Sequence, residues 1–282
     1  MRTFKDAIMA LQKVLKLAKY RISLLTGLSA VTGFALNGGS IMELKALILF
    51  LGTLFVSGFA GGVNQLIELF EDSVMKRTQK RPLVEGVLSV PDACLALGAM
   101  GLAGLAMLSW LSLNVALMSV FSWLIYNFLY TPLKQKTPFS IWIGALAGAL
   151  PVLGGALAQN VYVSSAVWAL FAVQFLWQIP HFFALGVKFK QDYEKAGFKL
   201  VQNSKLLRSE VLAATFLTVG IGLAVALQSK NILFWCLVFN LSVALTVSVI
   251  DLLLSQAKEA GDLACKTSIV YLSTFFIGIW FA

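Results

Sequence analysis

The chain has 282 residues, 59% of them hydrophobic and only 12% charged, with a formal net charge of +9. Together with a mean hydropathy of +0.84, this composition excludes an ordinary water-soluble enzyme and a disordered chain, and it indicates an integral membrane protein.

Residues 1–20 space Phe4, Ile8, Leu11, Leu15 and Ala18 along one helical face with lysines elsewhere, the pattern of an amphipathic helix lying in a membrane interface. No signal-type apolar region with a small-residue cleavage site precedes the first span, so a cleaved targeting peptide is not expected. The apolar runs that follow resolve into nine segments, near residues 21–38, 45–69, 92–110, 113–130, 140–158, 163–187, 209–227, 231–254 and 264–282. Each is long enough to cross about 30 Å of hydrocarbon as a helix. The pair that meets at "WLSLN" has the shortest connection. In "IGALAGALPVLGGALA", Gly144, Gly148, Gly154 and Gly155 are candidates for close helix approach, and Pro151 is a candidate kink.

Lys and Arg placement orients this all-α arrangement, because cytoplasmic loops carry the positive charge. With the N-terminus in the cytoplasm, 20 of the 22 Lys and Arg residues fall on that side, and only Lys45 and Lys230 on the other. The net charge therefore describes a membrane face suited to anionic lipid head groups or an anionic substrate, and no nucleic-acid partner is expected. Cys94, Cys236 and Cys265 are few and lie in or beside spans. They read as small buried residues, not as a disulfide framework or metal cluster.

The stretch "GGVNQLIELFEDSVMKRTQKRPLVEG" breaks the apolar pattern. Asn64, Glu68 and Asp72 recur at four-residue steps, which on a helix holds them within an arc of about 80°. A carboxylate at membrane depth costs roughly 2.5–3.5 kcal/mol, so such residues are expected to face a cavity. Two carboxylates and an amide oxygen suit Mg²⁺, a hard ion that completes its shell with water and phosphate. Lys76, Arg77, Lys80 and Arg81 follow directly and offer donors to phosphate oxygens, so the segment reads as a metal-bridged diphosphate site. Pro82 ends it in a turn.

The same membrane face receives "YNFLYTPLKQKTP", with Tyr126, Asn127, Tyr130, Thr131, Lys134 and Lys136, and "FLWQIPHFFALGVKFKQDYEKAG", with Trp177, Gln178, His181, Lys188, Lys190, Asp192, Tyr193 and Glu194. His181 is the single histidine and follows Pro180, whose ring opens the helical hydrogen bonding toward a cavity. Trp177, Phe182 and Phe183 offer flat apolar surface to a ligand, although ordinary packing uses the same residues. Asp251 lies near the cytoplasmic end of its span, where a solvated helix end is expected at least as much as a site role.

Asn64, Glu68, Asp72, Met75, Arg77, Thr78, Arg81 and Pro82, with Tyr130, Thr131, Leu133 and Lys134, resemble the motifs of the UbiA superfamily of intramembrane prenyltransferases. Trp177, Pro180, His181, Phe182, Asp192, Tyr193, Ala196 and Gly197 resemble the signature of its heme-farnesylating branch, the heme O synthases. The likeness runs over nearly the whole chain. It departs at Glu68, where the family usually has Asp, and at Gln191, where some relatives have a second acid beside Asp192.

The resemblance implies one polytopic domain over residues 1–282, with nine transmembrane helices around a central cavity and its active face cytoplasmic, in a bacterial inner membrane. It implies Mg²⁺ held by Asn64, Glu68, Asp72 and Asp192, diphosphate held by Lys76, Arg77, Lys80, Arg81, Lys134 and Lys188, and heme beside Trp177, His181 and Tyr193. The substrates implied are farnesyl diphosphate and heme b, joined with water addition to give heme O, with partners expected among heme A synthase or oxidase-assembly proteins. A quinone-type aromatic prenyltransferase shares the diphosphate site and is the alternative enzyme. A transporter or non-catalytic assembly protein is the alternative of a different class, disfavoured because ion pathways do not call for Arg77 and Arg81 beside the acids.

Overall fold

The computed structural model describes residues 2–159, 162–200 and 205–281, with side chains from residue 9 onward. Among the described residues all regular structure is helical. The helices are α1 (Arg2–Leu17), α2 (Tyr20–Leu36), α3 (Leu44–Ile67), α4 (Leu69–Val74), α5 (Val90–Leu111), α6 (Leu113–Leu124), a π-helical turn (Ile125–Tyr130), α7 (Thr131–Leu133), α8 (Ser140–Leu157), α9 (Ser165–Lys188), α10 (Lys190–Lys195), α11 (Lys205–Gln228), α12 (Ile232–Ser255) and α13 (Lys258–Gly278).

Seven of these stretches are long and apolar enough to cross a membrane: α3, α5, the run Leu113–Leu133, α8, α9, α11 and α12. The other two apolar helices at expected positions differ for identifiable reasons. α2 has 17 residues, about 25 Å of helix at 1.5 Å per residue. α13 starts at Lys258, ahead of the apolar run, and carries Glu259, Asp262 and Lys266 in its first turns.

Serine makes the shortest connection work. Ser112 alone joins α5 to α6: its N–H donates to Leu108 O at 3.0 Å, and its hydroxyl accepts from Asn114 N at 3.2 Å. One extended residue thus closes one helix and caps the next. Ser89, Ser164 and Asn231 cap α5, α9 and α12 in the same manner.

On α1, Leu11 and Leu15 are exposed while Leu17 is buried, as is Ala18 in the turn that follows. The side chains of Phe4 and Ile8 lie outside the described residues. Of the cysteines only Cys265 is buried; Cys94 is exposed and Cys236 half-buried. The expectation of three small buried residues therefore holds for Cys265 alone, because Cys94 falls on the outer face of α5. Asp251 is exposed, as a solvated helix end should be.

The helices pack α2 against α3 and α8, α3 against α5, α8 against α9, and α9 against α11 and α13. The tightest contact is between α2 and α8. A Cβ at Gly155 would lie 1.8 Å from Ala30 O, and one at Gly33 would lie 2.0 Å from Val152 O, so the two backbones touch, as small residues permit in membrane helices. Gly144 and Gly148 give room to the Tyr130 ring and the Gln178 side chain, whereas Gly154 has only Met118 Cγ near it, at 3.7 Å; the expected close approach is absent there. Pro151 has no N–H for Ala147 O, and Ser122 Oγ donates to that carbonyl at 2.8 Å from α6, restoring a bond that proline removes.

This packing predicts that Gly155→Ala lowers stability by about 1–3 kcal/mol through overpacking against immovable backbone. Gly154→Ala leaves the Tm in detergent within about 2 °C of the parent, because its surroundings accept a methyl group. Equal Tm values for the two variants, measured by thermal unfolding, would refute the contact.

Candidate active site

Asn64, Glu68 and Asp72 are 1%, 6% and 1% exposed. The continuous helix expected under them is interrupted at Glu68 (φ −99°, ψ 28°), where α3 gives way to α4. The four-residue bonding nevertheless persists, with Glu68 N on Asn64 O at 3.0 Å and Asp72 N on Glu68 O at 2.8 Å. The three side chains therefore stay on one side and all line the same cavity.

Each of the three meets a cation. Lys19 Nζ donates to Asn64 Oδ1 at 2.5 Å, Lys134 pairs with Glu68, and Arg81 pairs with Asp72. Asn64 Nδ2 also donates to Thr131 Oγ1 at 3.0 Å. Burial pushes the Asp72 carboxyl above its ordinary value, against the opposing pull of Arg81 and Lys19. Burial, followed by the Arg81 charge, brings Lys19 down to about 7.

Local structure delivers each cation. Lys19 sits between α1 and α2 in the left-handed region (φ 47°), a strained conformation for a residue with a long side chain. Gln65 Nε2 holds the preceding turn by donating to Leu17 O at 2.6 Å and Lys16 O at 3.3 Å, carbonyls at the end of α1; Lys16 O also accepts from Lys19 N at 3.2 Å. Lys134 follows the π-helical turn. Pro132 offers no N–H and its ring would meet the carbonyl four residues back. The wider turn avoids that, with Thr131 N bonding to Tyr126 O, five residues back. Lys134 Nζ then lies 4.9 Å from the centre of the Tyr130 ring and 5.0 Å from that of Phe198. Arg81 is returned to Asp72 by tight turns in which Thr78 Oγ1 donates to Asp72 O at 2.8 Å and Arg81 N to Thr78 O at 3.0 Å.

The second acidic stretch has a different arrangement. Both carboxylate oxygens of Asp192 accept backbone amides, Lys76 N and Arg77 N, each at 3.2 Å. Asp192 thus anchors the loop that carries the arginines. Glu194 is turned outward to Lys190. Arg77 lies over Phe189 and Tyr193, at 5.2 and 5.9 Å from their ring centres, and it lines the cavity together with Arg81, Lys134 and Tyr193. Lys76 and Lys80 are exposed, and Lys188 is taken by Asp262 at 2.5 Å; the structure does not bring these three lysines to the cavity wall.

The cavity, about 500 Å³, runs from this charged mouth into an apolar interior. Tyr126, Tyr130 and Phe182 form a stacked row with ring centres 5.6 and 6.1 Å apart. Trp177 stacks on His181 at 4.6 Å and 15°, and both line the cavity. Phe183 is instead packed in the core, 1% exposed. The sequence reading missed Lys19, counted only as surface charge, and Gln174, nearly one turn deeper on α9 than Trp177. Nothing in linear spacing marks either one, because each is defined by what packs opposite.

The donor chemistry fits a hard divalent cation. Asp72 Oδ1 is buried without a hydrogen-bond partner, and the neighbouring ligands on offer are oxygens of Glu68 and Asn64. Among the described residues no group of three or more His, Cys, Asp or Glu side chains forms a metal cluster. A cation here would take two carboxylates and an amide oxygen and complete its shell with phosphate and water, the habit of Mg²⁺.

The chain matches the UbiA prenyltransferase family over residues 26–278. It is 38% identical over 192 residues to a protoheme IX farnesyltransferase of Cytophaga hutchinsonii, covering 67% of this chain and 67% of that one. It is 31% identical over 272 residues to a protoheme IX farnesyltransferase of Nitrosospira multiformis, covering 94% and 91%. Its fold is similar to a UbiA homolog from Archaeoglobus fulgidus bound to GPP and Mg²⁺, with a TM-score of 0.69 and 20% identity over 95% of this chain and 99% of that one. A family match that takes in both the buried oxygen row and the aromatic wall leaves one conclusion: this chain belongs to the UbiA prenyltransferase family.

Proposed function

We propose that the protein transfers a farnesyl group from farnesyl diphosphate to a vinyl group of heme b, with addition of water, to form heme O. The observation that carries this reading is the row Asn64, Glu68 and Asp72, each against a basic side chain, at the mouth of a cavity whose remaining wall is mainly aromatic and aliphatic, with serine, threonine and glutamine side chains among them. The names of the Cytophaga and Nitrosospira relatives support the acceptor, and the GPP-bound neighbour supports an allylic diphosphate donor. The same reading takes residues 1–282 as one polytopic unit with residues 1–20 at the interface. It crosses a bacterial inner membrane nine times and opens its charged mouth to the cytoplasm; the distribution of Lys and Arg supports that orientation.

Asn64, Glu68 and Asp72 would hold Mg²⁺, which when bound supplies neutralising charge to the diphosphate. Arg81, Arg77, Lys134 and Lys19 donate to the phosphate oxygens and stabilise the negative charge that grows as the carbon–oxygen bond breaks. The bonding pair leaves with diphosphate, and C1 of the farnesyl chain becomes an allylic cation beside Tyr126, Tyr130 and Phe182, whose ring faces favour positive charge. The vinyl π electrons of heme b then form the new carbon–carbon bond. Water adds to the cation left next to the porphyrin ring and loses a proton to solvent, giving the hydroxyethylfarnesyl side chain. The aliphatic and aromatic walls keep water from the earlier allylic cation. Trp177, His181 and Tyr193, which line the cavity, would meet the porphyrin.

Product mass after incubation of purified protein with farnesyl diphosphate, Mg²⁺ and either heme b or 4-hydroxybenzoate tests the acceptor. Farnesylated benzoate with untouched heme would replace this reading by the quinone-type one. Asp72→Ala is predicted to lower heme O formation by about 100-fold or more in folded protein, the effect of removing a group that stabilises developing charge. Glu68→Asp, which shortens the arm by one methylene, retains turnover; near-parental rates for Asp72→Ala would relocate the metal. Arg81→Ala should weaken farnesyl diphosphate binding by about tenfold or more, whereas Lys188→Ala, already committed to Asp262, changes it by less than about twofold. Titration of each variant with the diphosphate separates the two, and equal losses would refute the assignment.

A further inference from the structure

The contact between α9 and α13 contains a polar relay that the diphosphate chemistry does not use. Ser268, 1% exposed on α13, serves both aromatic neighbours of the cavity at once. Its carbonyl accepts from Trp177 Nε1 at 2.6 Å. Its hydroxyl oxygen lies 2.8 Å from His181 Nδ1 and 2.8 Å from Cys265 O, to which it donates. A serine hydroxyl has one hydrogen. With that hydrogen on Cys265 O, the bond to the ring is made by a proton on Nδ1, and a neutral imidazole protonated there carries its lone pair on Nε2. Trp177 stacks on the ring at 4.6 Å, so its orientation is held from the face as well as from the edge. Among the described residues Nε2 has no hydrogen-bond partner, and His181 lines the cavity.

We infer that Ser268 is a positioning residue that keeps the His181 proton on Nδ1, so that Nε2 is presented as a ligand to the iron of a porphyrin in the cavity. The inference rests on the heme reading above. Metal-binding histidines generally donate their other ring N–H to an oxygen that sets tautomer and orientation, and loss of that oxygen costs about 10–100-fold in metal affinity. Here the oxygen is a neutral hydroxyl, itself oriented by a helix carbonyl, which leaves the imidazole neutral and suited to iron.

Heme titration of the purified chain, followed through the Soret band, tests the relay. Ser268→Ala is expected to weaken heme binding by about tenfold or more and to move the Soret band toward that of His181→Ala, while Ser268→Thr, which keeps the hydroxyl, restores the parental band. Farnesyl diphosphate affinity, measured on the same samples, stays unchanged in all three. A parental band and affinity for Ser268→Ala would overturn the positioning role, and a parental band for His181→Ala would overturn iron ligation. Absence of heme binding by the parent protein, with diphosphate binding intact, would instead sink the heme reading itself. The parent protein carries a second, mutation-independent measurement. His181 is the only histidine, so ¹⁵N-histidine labelling gives a single imidazole, and its heme-free spectrum should show a protonated Nδ1 and a pyridine-type Nε2. The reverse pattern would overturn the inference whatever the variants do.

Discussion

Two carboxylates and an amide brought to the mouth of a membrane cavity need partners, and most of the structure around them provides those partners. An unpaired buried charge costs several kcal/mol, and here Lys134 and Arg81 answer Glu68 and Asp72 while Lys19 answers Asn64. The cations are the same groups that a diphosphate would require. On the proposed reading, substrate binding would be an exchange of partners, in which phosphate oxygens and a divalent cation replace pairings already present inside the protein. These pairings keep the site ordered before its ligands arrive, which would lower the reorganisation needed when negative charge develops.

Irregular backbone is concentrated where those cations are delivered. The left-handed Lys19, the break at Glu68 and the π-helical turn before Pro132 all surround the mouth. In a lipid environment such departures are tolerated only where the backbone faces protein or a water-filled cavity. Two of these are held by side chains, the turn before Lys19 by Gln65 and the π turn by Thr131, and the arginine loop is held by Asp192. The last of these gives the second acidic stretch a concrete task, because both oxygens of Asp192 grip the loop that carries Arg77. The backbone contact at Gly33 and Gly155 adds a close, rigid seam between α2 and α8.

The sequence alone determined the membrane class, the places of the apolar helices to within a few residues, and the face carrying Asn64, Glu68 and Asp72, since hydropathy runs, Lys and Arg bias and four-residue spacing are all local signals. It also marked Pro151 and Pro180 as places where helical bonding must change, because a missing N–H is written in the residue itself. Tertiary structure decided who meets whom. Lys19 reaches Asn64 across 45 positions and Ser268 reaches His181 across 87, while Lys188, equally basic and close in sequence to Asp192, is drawn away to Asp262. Periodicity says which way a side chain points from its own helix but not what the neighbouring helix places in front of it. That depends on packing contacts such as the one between α2 and α8, set by the shape of the whole bundle.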